Sequence, residues 1–185
     1  MRSGTYKQSL IGIFISNMKI LSILNEFMAT DVPPKKTFIR AYSISNGALD
    51  MIKKFEDFSS KAYKDTDGKM VIGYGTRIPD SSYLKKEISE AEAEKLLTNH
   101  LNKQVVPYIK TNVKRALNQN QWDALASLVY NIGGSRFAKS NLLKMINDGN
   151  LKGIRKEWLE WRLSQGKVLG GLEKRRTQEI NHFFS

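Results

Sequence analysis

The sequence predicts an α+β fold that is mostly helical, with a small β-hairpin lobe followed by a larger helical lobe. Three observations predict it. The pair Asp67-Gly68 lies between two β-prone runs, Ala62-Tyr63-Lys64-Asp65-Thr66 and Lys69-Met70-Val71-Ile72-Gly73-Tyr74, which is a strong hairpin signal. Beyond residue 80, apolar residues recur at helical spacing to the end of the chain, punctuated by helix start and stop signals. The chain has 185 residues, 41% of them hydrophobic, with 3 Trp, 7 Tyr and 8 Phe. That is enough for one domain with a real core plus an appendage, and it argues against disorder.

Residues 1–8 are a short basic, polar start. In residues 9–29, Ser9, Gly12, Ser16, Lys19, Ser22 and Glu26 recur every three or four positions and leave a broad apolar face, the pattern of an amphipathic helix. Lys19 and Glu26 interrupt the ~20 apolar residues that a membrane span needs. No small-residue cleavage site follows, so a cleavable signal is a poor reading. Residues 30–44 carry Pro33-Pro34-Lys35-Lys36 and read as a linker. The main domain is therefore assigned to residues 45–185.

Within it, Ser45 is an N-cap for a helix with Leu49, Ile52 and Phe55 on one face, and Glu56 falls at the helix end. The hairpin follows. Ser89-Glu-Ala-Glu92 is a capping box opening a helix with Leu96, Leu97 and Leu101, which Pro107 is expected to interrupt. Residues 119–131 form a buried helix with Trp122, Leu125, Leu128 and Val129, ending at Gly133-Gly134. Ser140 caps a short helix that stops at Asn147-Asp148-Gly149-Asn150. Residues 151–163 hold Ile154, Trp158, Trp161 and Leu163. A loop from Gly166 to Gly171 leads to a last helix from about Leu172.

Composition excludes several chemistries. There are no cysteines, so disulfide scaffolds and thiolate metal sites are out. The only histidines, His100 and His182, are far apart in sequence and lack ligand spacing. A His-based metal site and a Ser-His-Asp triad are therefore disfavoured, and no metal or other cofactor is expected. No phosphate-binding glycine loop is present. The formal net charge of +12 draws the protein toward polyanions: nucleic acid, an anionic membrane or the acidic bacterial envelope. Trp122, Trp158 and Trp161 sit on apolar helical faces rather than interleaved with basic residues, so nucleic acid is not the expected partner.

Glu56 and Asp65 are the candidate catalytic pair. Glycoside hydrolysis needs one acid to protonate the leaving oxygen and a second carboxylate to handle water or the sugar cation. Partial burial of Glu56 between Phe55 and Phe58 favours the protonated acid. Gly73 and Gly75 alternate on the second strand and leave one face bare, which suits close approach of a sugar or marks a bulge.

The string Glu56-x8-Asp65, then Gly68, then Ile72-Gly-Tyr-Gly-Thr76, resembles the phage-type lysozymes, the T-even phage lysozyme group and its lambdoid endolysin relatives. Later stretches agree in order: Gln121-Trp-Asp-Ala-Leu125 through Ile132-Gly133, Phe137-x-x-Ser140-x-Leu-Leu143, Trp158, and Gly171-Leu-Glu-Lys-Arg-Arg-x-x-Glu179. The resemblance covers residues 45–185 and implies a lysozyme-like two-lobed fold. It implies inverting cleavage of the β-1,4 bond between N-acetylmuramic acid and N-acetylglucosamine in bacterial peptidoglycan by a monomeric phage endolysin. The enzyme would pass from host cytoplasm to periplasm, with residues 9–29 offering membrane contact or docking. It maps Glu56 to the general acid and Asp65 to the carboxylate that positions water. It places Thr76, Tyr130, Asn131 and Ser140 near the substrate, though core packing and capping explain the last three equally well. It brings Arg175 or Arg176 toward the acid.

One position departs from the family. Val71 stands where the family carries a catalytic threonine, and valine has no hydroxyl to hold water. Thr76, which stands where the T-even enzyme has a histidine, and Thr66 are candidate substitutes. Two alternatives therefore stay open: a lytic transglycosylase, whose sugar hydroxyl attacks in place of water, and a catalytically weakened murein-binding protein.

Overall fold

The computed structural model describes residues 43–185, apart from Thr66 and Gln165. The basic start, the amphipathic helix of residues 9–29 and the linker of residues 30–44 up to residue 42 lie outside the described residues.

Helix α1 (Asn46–Phe55) starts as the sequence predicts: Ser45 is extended and its hydroxyl accepts from the Ala48 amide at 3.2 Å. It buries Ala48, Leu49, Met51 and Ile52. Glu56 is its C-cap, with φ −109° and ψ 124°, so the chain leaves helical geometry at the candidate acid.

The three-stranded antiparallel sheet has the order β1 (Ser59–Lys64), β2 (Met70–Gly73), β3 (Thr76–Arg77). Tyr63 pairs with Val71 and Lys64 with Met70, and an irregularity separates these from the Ser59–Gly73 pair. Asp65 and Lys69 close the hairpin: the Asp65 amide donates to the Lys69 carbonyl at 2.9 Å, and Gly68 adopts φ +77°. A 3₁₀ turn (Ser81–Leu84) then leads to the helical lobe.

Helix α2 (Glu90–His100) opens with the predicted capping box of Ser89 and Glu92. Pro107 does not break the chain's helical course. A π-helical stretch, Leu101–Val105, follows α2 directly, and α3 (Val106–Asn112) begins with Pro107 in its first turn. Proline lacks an amide hydrogen, and the first turn of a helix needs none, so a proline there is tolerated.

Helix α4 (Gln119–Ile132) is the centre of the lobe. Asn118 and Gln121 cap it reciprocally, a box the sequence reading passed over. Residues Trp122 to Val129 are all buried, the signature of a helix surrounded by others. It packs on α1 and on α8 (Gly170–Phe183). Short helices α5 (Gly134–Ala138), α6 (Asn141–Asp148) and α7 (Leu151–Glu160) complete the wall. Gly149 stops α6 in the left-handed conformation, φ +70°.

Two boundaries differ from expectation. Helix α7 ends at Glu160 and Trp161 is its C-cap, while Leu163 is 40% exposed in a two-stranded hairpin of β4 (Leu163–Ser164) and β5 (Lys167–Val168). The last helix begins at Gly170 rather than Leu172. No described helix is long and apolar enough to cross a membrane.

Candidate active site

Glu56 and Asp65 line one open cleft of about 380 Å³, together with Tyr63, Val71, Gly75 and Tyr130. The helix end holds Glu56 and the hairpin mouth holds Asp65, so the two candidate carboxylates meet although they come from different elements.

Asp65 is fixed by its turn. Its Oδ1 accepts from the amides of Asp67 (2.9 Å) and Lys69 (2.8 Å). That commits one carboxylate oxygen to the loop and leaves Oδ2 for chemistry in the cleft.

Glu56 is three-quarters buried, but its neighbour is a cation rather than an apolar wall. Arg175 Nη1 donates to Glu56 Oε1 at 2.6 Å. The Arg175 guanidinium lies 5.5 Å from the Phe55 ring centre, and Phe58 is 37% exposed instead of covering the acid. Of the two arginines suggested by sequence, Arg175 is the one that reaches Glu56. Its other nitrogens are also engaged: Nε donates to Glu179 Oε1 (3.2 Å) and Nη2 to the Ser127 carbonyl (3.2 Å). Arg176 is fully buried and donates to Asn131 Oδ1 at 3.0 Å. Burial lowers the Arg176 pKa to about 10, which still leaves it charged at neutral pH.

The remaining sequence candidates separate clearly. Tyr130 lines the cleft and donates to the Tyr74 carbonyl at 2.6 Å; burial raises its phenol well above the ordinary tyrosine value, so it stays neutral. Asn131 lines the cleft too. Val71 is 3% exposed and forms part of the cleft wall, offering carbon where the family has a hydroxyl. Gly75 brings backbone close to the acid: a Cβ there would lie 3.7 Å from the Tyr130 hydroxyl and 3.8 Å from Glu56 Oε2.

Three others do not behave as substrate contacts. Gly73 is buried against the helical lobe, where an added Cβ would come within 2.7 Å of the Ala93 Cβ; its bareness serves packing, not a sugar. Thr76 is 4% exposed and is not among the residues that line the cleft. Ser140 is buried in the helical lobe, where its hydroxyl accepts from the Leu143 amide (3.1 Å) and donates to the Phe137 carbonyl (2.7 Å); it is a helix cap.

Sequence reasoning missed Lys69, Arg77 and His100, which also line the cleft. These residues and Tyr130 continue into an adjoining space of about 670 Å³ reaching Tyr108 and Arg136. His100 packs edge-on against Tyr130 with ring centres 5.5 Å apart, and burial, with Arg77 nearby, lowers its pKa. Nothing local in the sequence marks these side chains; the fold assembles them from β3, α2 and the hairpin loop. Among the described residues no group of three or more His, Asp or Glu is placed to hold a metal ion.

The fold thus sets two carboxylates in one open cleft with Lys69 and Arg77 along its wall. The family model described as phage lysozyme matches residues 53–179. The endolysin of Bacillus phage B103 is 39% identical over 145 residues, covering 77% of this chain and 54% of that relative. The endolysin of Salmonella phage P22 is 34% identical over 144 residues, covering 77% of this chain and 98% of the relative. A SAR-endolysin of Enterobacteria phage P21 is 35% identical over 127 residues, covering 67% of this chain and 74% of the relative. Among solved structures, the muramidase domain of SpmX from Asticaccaulis excentricus superposes with a TM-score of 0.70 at 30% identity, covering 77% of this chain and 98% of that one. The chain belongs to the phage lysozyme family. It spans about half the length of the B103 relative and nearly all of the P22 relative.

Proposed function

We propose that the protein is a phage endolysin that hydrolyses bacterial peptidoglycan at the β-1,4 bond between N-acetylmuramic acid and N-acetylglucosamine. The observation that carries this is the placement of Glu56 and Asp65 in one cleft. Glu56 donates its proton to the departing glycosidic oxygen as the bond breaks, which avoids expelling an alkoxide. Asp65, through Oδ2, stabilises the cationic sugar and takes a proton from the attacking water. For inversion, water enters on the face opposite the leaving group, between carboxyls ~6.5–9.5 Å apart. The cations Lys69 and Arg77 on the cleft wall suit a substrate that carries carboxylates.

Val71 favours one competing reading. With no hydroxyl at that place, the attacking water loses a hydrogen-bond partner, which would suit a transglycosylase in which the muramic acid hydroxyl attacks instead. Mass spectrometry of digested murein separates the two: reducing ends identify hydrolysis, and 1,6-anhydro ends identify the transglycosylase. Glu56→Gln should reduce murein clearing by roughly 10²–10⁴. It should leave the fold intact, because Arg175 keeps Glu179 and Ser127 as partners. Near-normal clearing by the folded variant would remove Glu56 from the mechanism.

The amphipathic segment 9–29 is further read as contacting the inner membrane, in keeping with relatives named SAR-endolysins. Fractionation of full-length protein against a form lacking residues 1–42 tests this: only the full chain should partition with membranes.

A further inference from the structure

One guanidinium away from Glu56 sits a second, fully buried carboxylate. Glu179 on α8 is 0% exposed. Its Oε1 accepts from Ser127 Oγ (2.7 Å), Arg175 Nε (3.2 Å) and Arg176 Nη2 (3.2 Å). Its Oε2 accepts from Trp158 Nε1 (3.0 Å) and lies 3.1 Å from Arg176 Nε. Helices α4, α7 and α8 are thus tied at one carboxylate.

The arrangement answers a conflict in the site. A general acid must hold a proton, yet the Glu56 carboxyl is hydrogen-bonded by a guanidinium at 2.6 Å, and the next residue is a second buried arginine. Glu179 is the one carboxylate in contact with both among the described residues. It draws on the same guanidinium that Glu56 does, and it offsets the second.

We propose that Glu179 is a positioning and charge-balancing residue for the reaction: it holds Arg175 in register with Glu56 and offsets enough of the paired arginine charge for Glu56 to carry the proton it donates. This rests on the reading of Glu56 as the acid. The positioning follows from geometry, since Arg175 is planar and all its nitrogens are bonded: Nε to Glu179, Nη1 to Glu56 and Nη2 to Ser127. The balancing follows from counting charges. Two arginines face two carboxylates, so neutralising Glu179 leaves the arginines over-balanced and pulls Glu56 toward its anion. Tyr63, Asp65, Lys69, Arg77, His100 and Tyr130 also face the cleft, and a change at Glu179 leaves them in place as a constant background.

The test is the pH–rate profile of murein clearing by the full chain, with thermal melts as a check on folding. Glu179→Gln keeps shape and removes the charge. The limb on which activity falls as Glu56 loses its proton should move to lower pH by about one unit. Arg176→Gln should move the same limb to higher pH. The double variant, which restores the charge count, should bring it back. A limb that stays fixed in the folded single variants, while only the melting temperature drops, overturns the proposal and leaves Glu179 purely structural. Carboxyl carbon NMR reads the same coupling without clearing: the Glu56 midpoint should move to lower pH in Glu179→Gln and return in the double variant, and a midpoint that stays fixed overturns the proposal. If the wild-type protein clears no murein, the hydrolase reading fails separately, and the NMR comparison still answers for Glu179.

Discussion

Val71 concentrates the chemical question at the scale of single residues. It is almost fully buried and belongs to the cleft wall, opposite Tyr63 in the sheet register and near Asp65. Thr76, the substitute suggested by sequence, is buried and is not among the residues that line the cleft. Val71→Thr should therefore raise kcat for hydrolysis with little change in KM, the mark of an interaction made in the transition state. An unchanged kcat, with reducing-end products throughout, would show that water is positioned by other groups. The two sequence glycines also part company here. Gly75 adopts the left-handed φ of +77° beside Glu56, whereas Gly73 makes room for Ala93. Sequence alternation cannot tell these cases apart, because the difference lies in which neighbour crosses the strand.

At the scale of elements, most helix starts were legible because capping is local. Ser45, Ser89 and Ser140 each accept a hydrogen bond from an amide three residues on, as their sequence context predicts. Ser140 shows how one residue can satisfy a structural and a functional reading until the fold is seen. Ser140→Ala should cost about 1 kcal/mol through the lost cap of α6. That corresponds to a melting temperature lower by roughly 2–4 °C. Murein kcat/KM should be unaltered; a selective loss of activity at unchanged stability would return Ser140 to the substrate site. Pro107 taught the opposite lesson. Its local effect is to remove a donor, but a π-helical stretch just before it lets the helical course continue.

At the scale of the molecule, the described residues belong to one compact unit that contains every side chain of the cleft. A protein beginning at Ser43 should fold and clear murein at the wild-type rate; aggregation or a large loss of stability would make the preceding segment part of the core. The pH dependence of its stability should carry the imprint of His100. Burial and Arg77 lower the folded pKa of that imidazole below its unfolded value of about 6.5. The unfolded chain then binds more protons in this window, so stability is full above about pH 6.5 and is lost as pH falls below it. Urea midpoints measured from neutral to mildly acidic pH should show this loss, and His100→Gln should flatten it. An identical acid dependence in the variant would assign the effect to other groups.

By itself the sequence determined what depends on neighbours along the chain: the hairpin at Asp67-Gly68, the capped helices, the apolar faces, and the Glu56–Asp65 spacing that sets an acid at a helix end and a carboxylate at a turn. It also carried the ordered motifs that mark the family. Only the tertiary structure decided what depends on distant segments meeting. Arg175 reaches Glu56 across 119 positions, Glu179 gathers Ser127 and Trp158 from two other helices, and His100 and Arg77 enter the cleft from separate elements. Hydrogen bonds and charge pairs of this kind have no sequence period, because their geometry is set by how α4 and α8 pack, and packing is a property of the whole core.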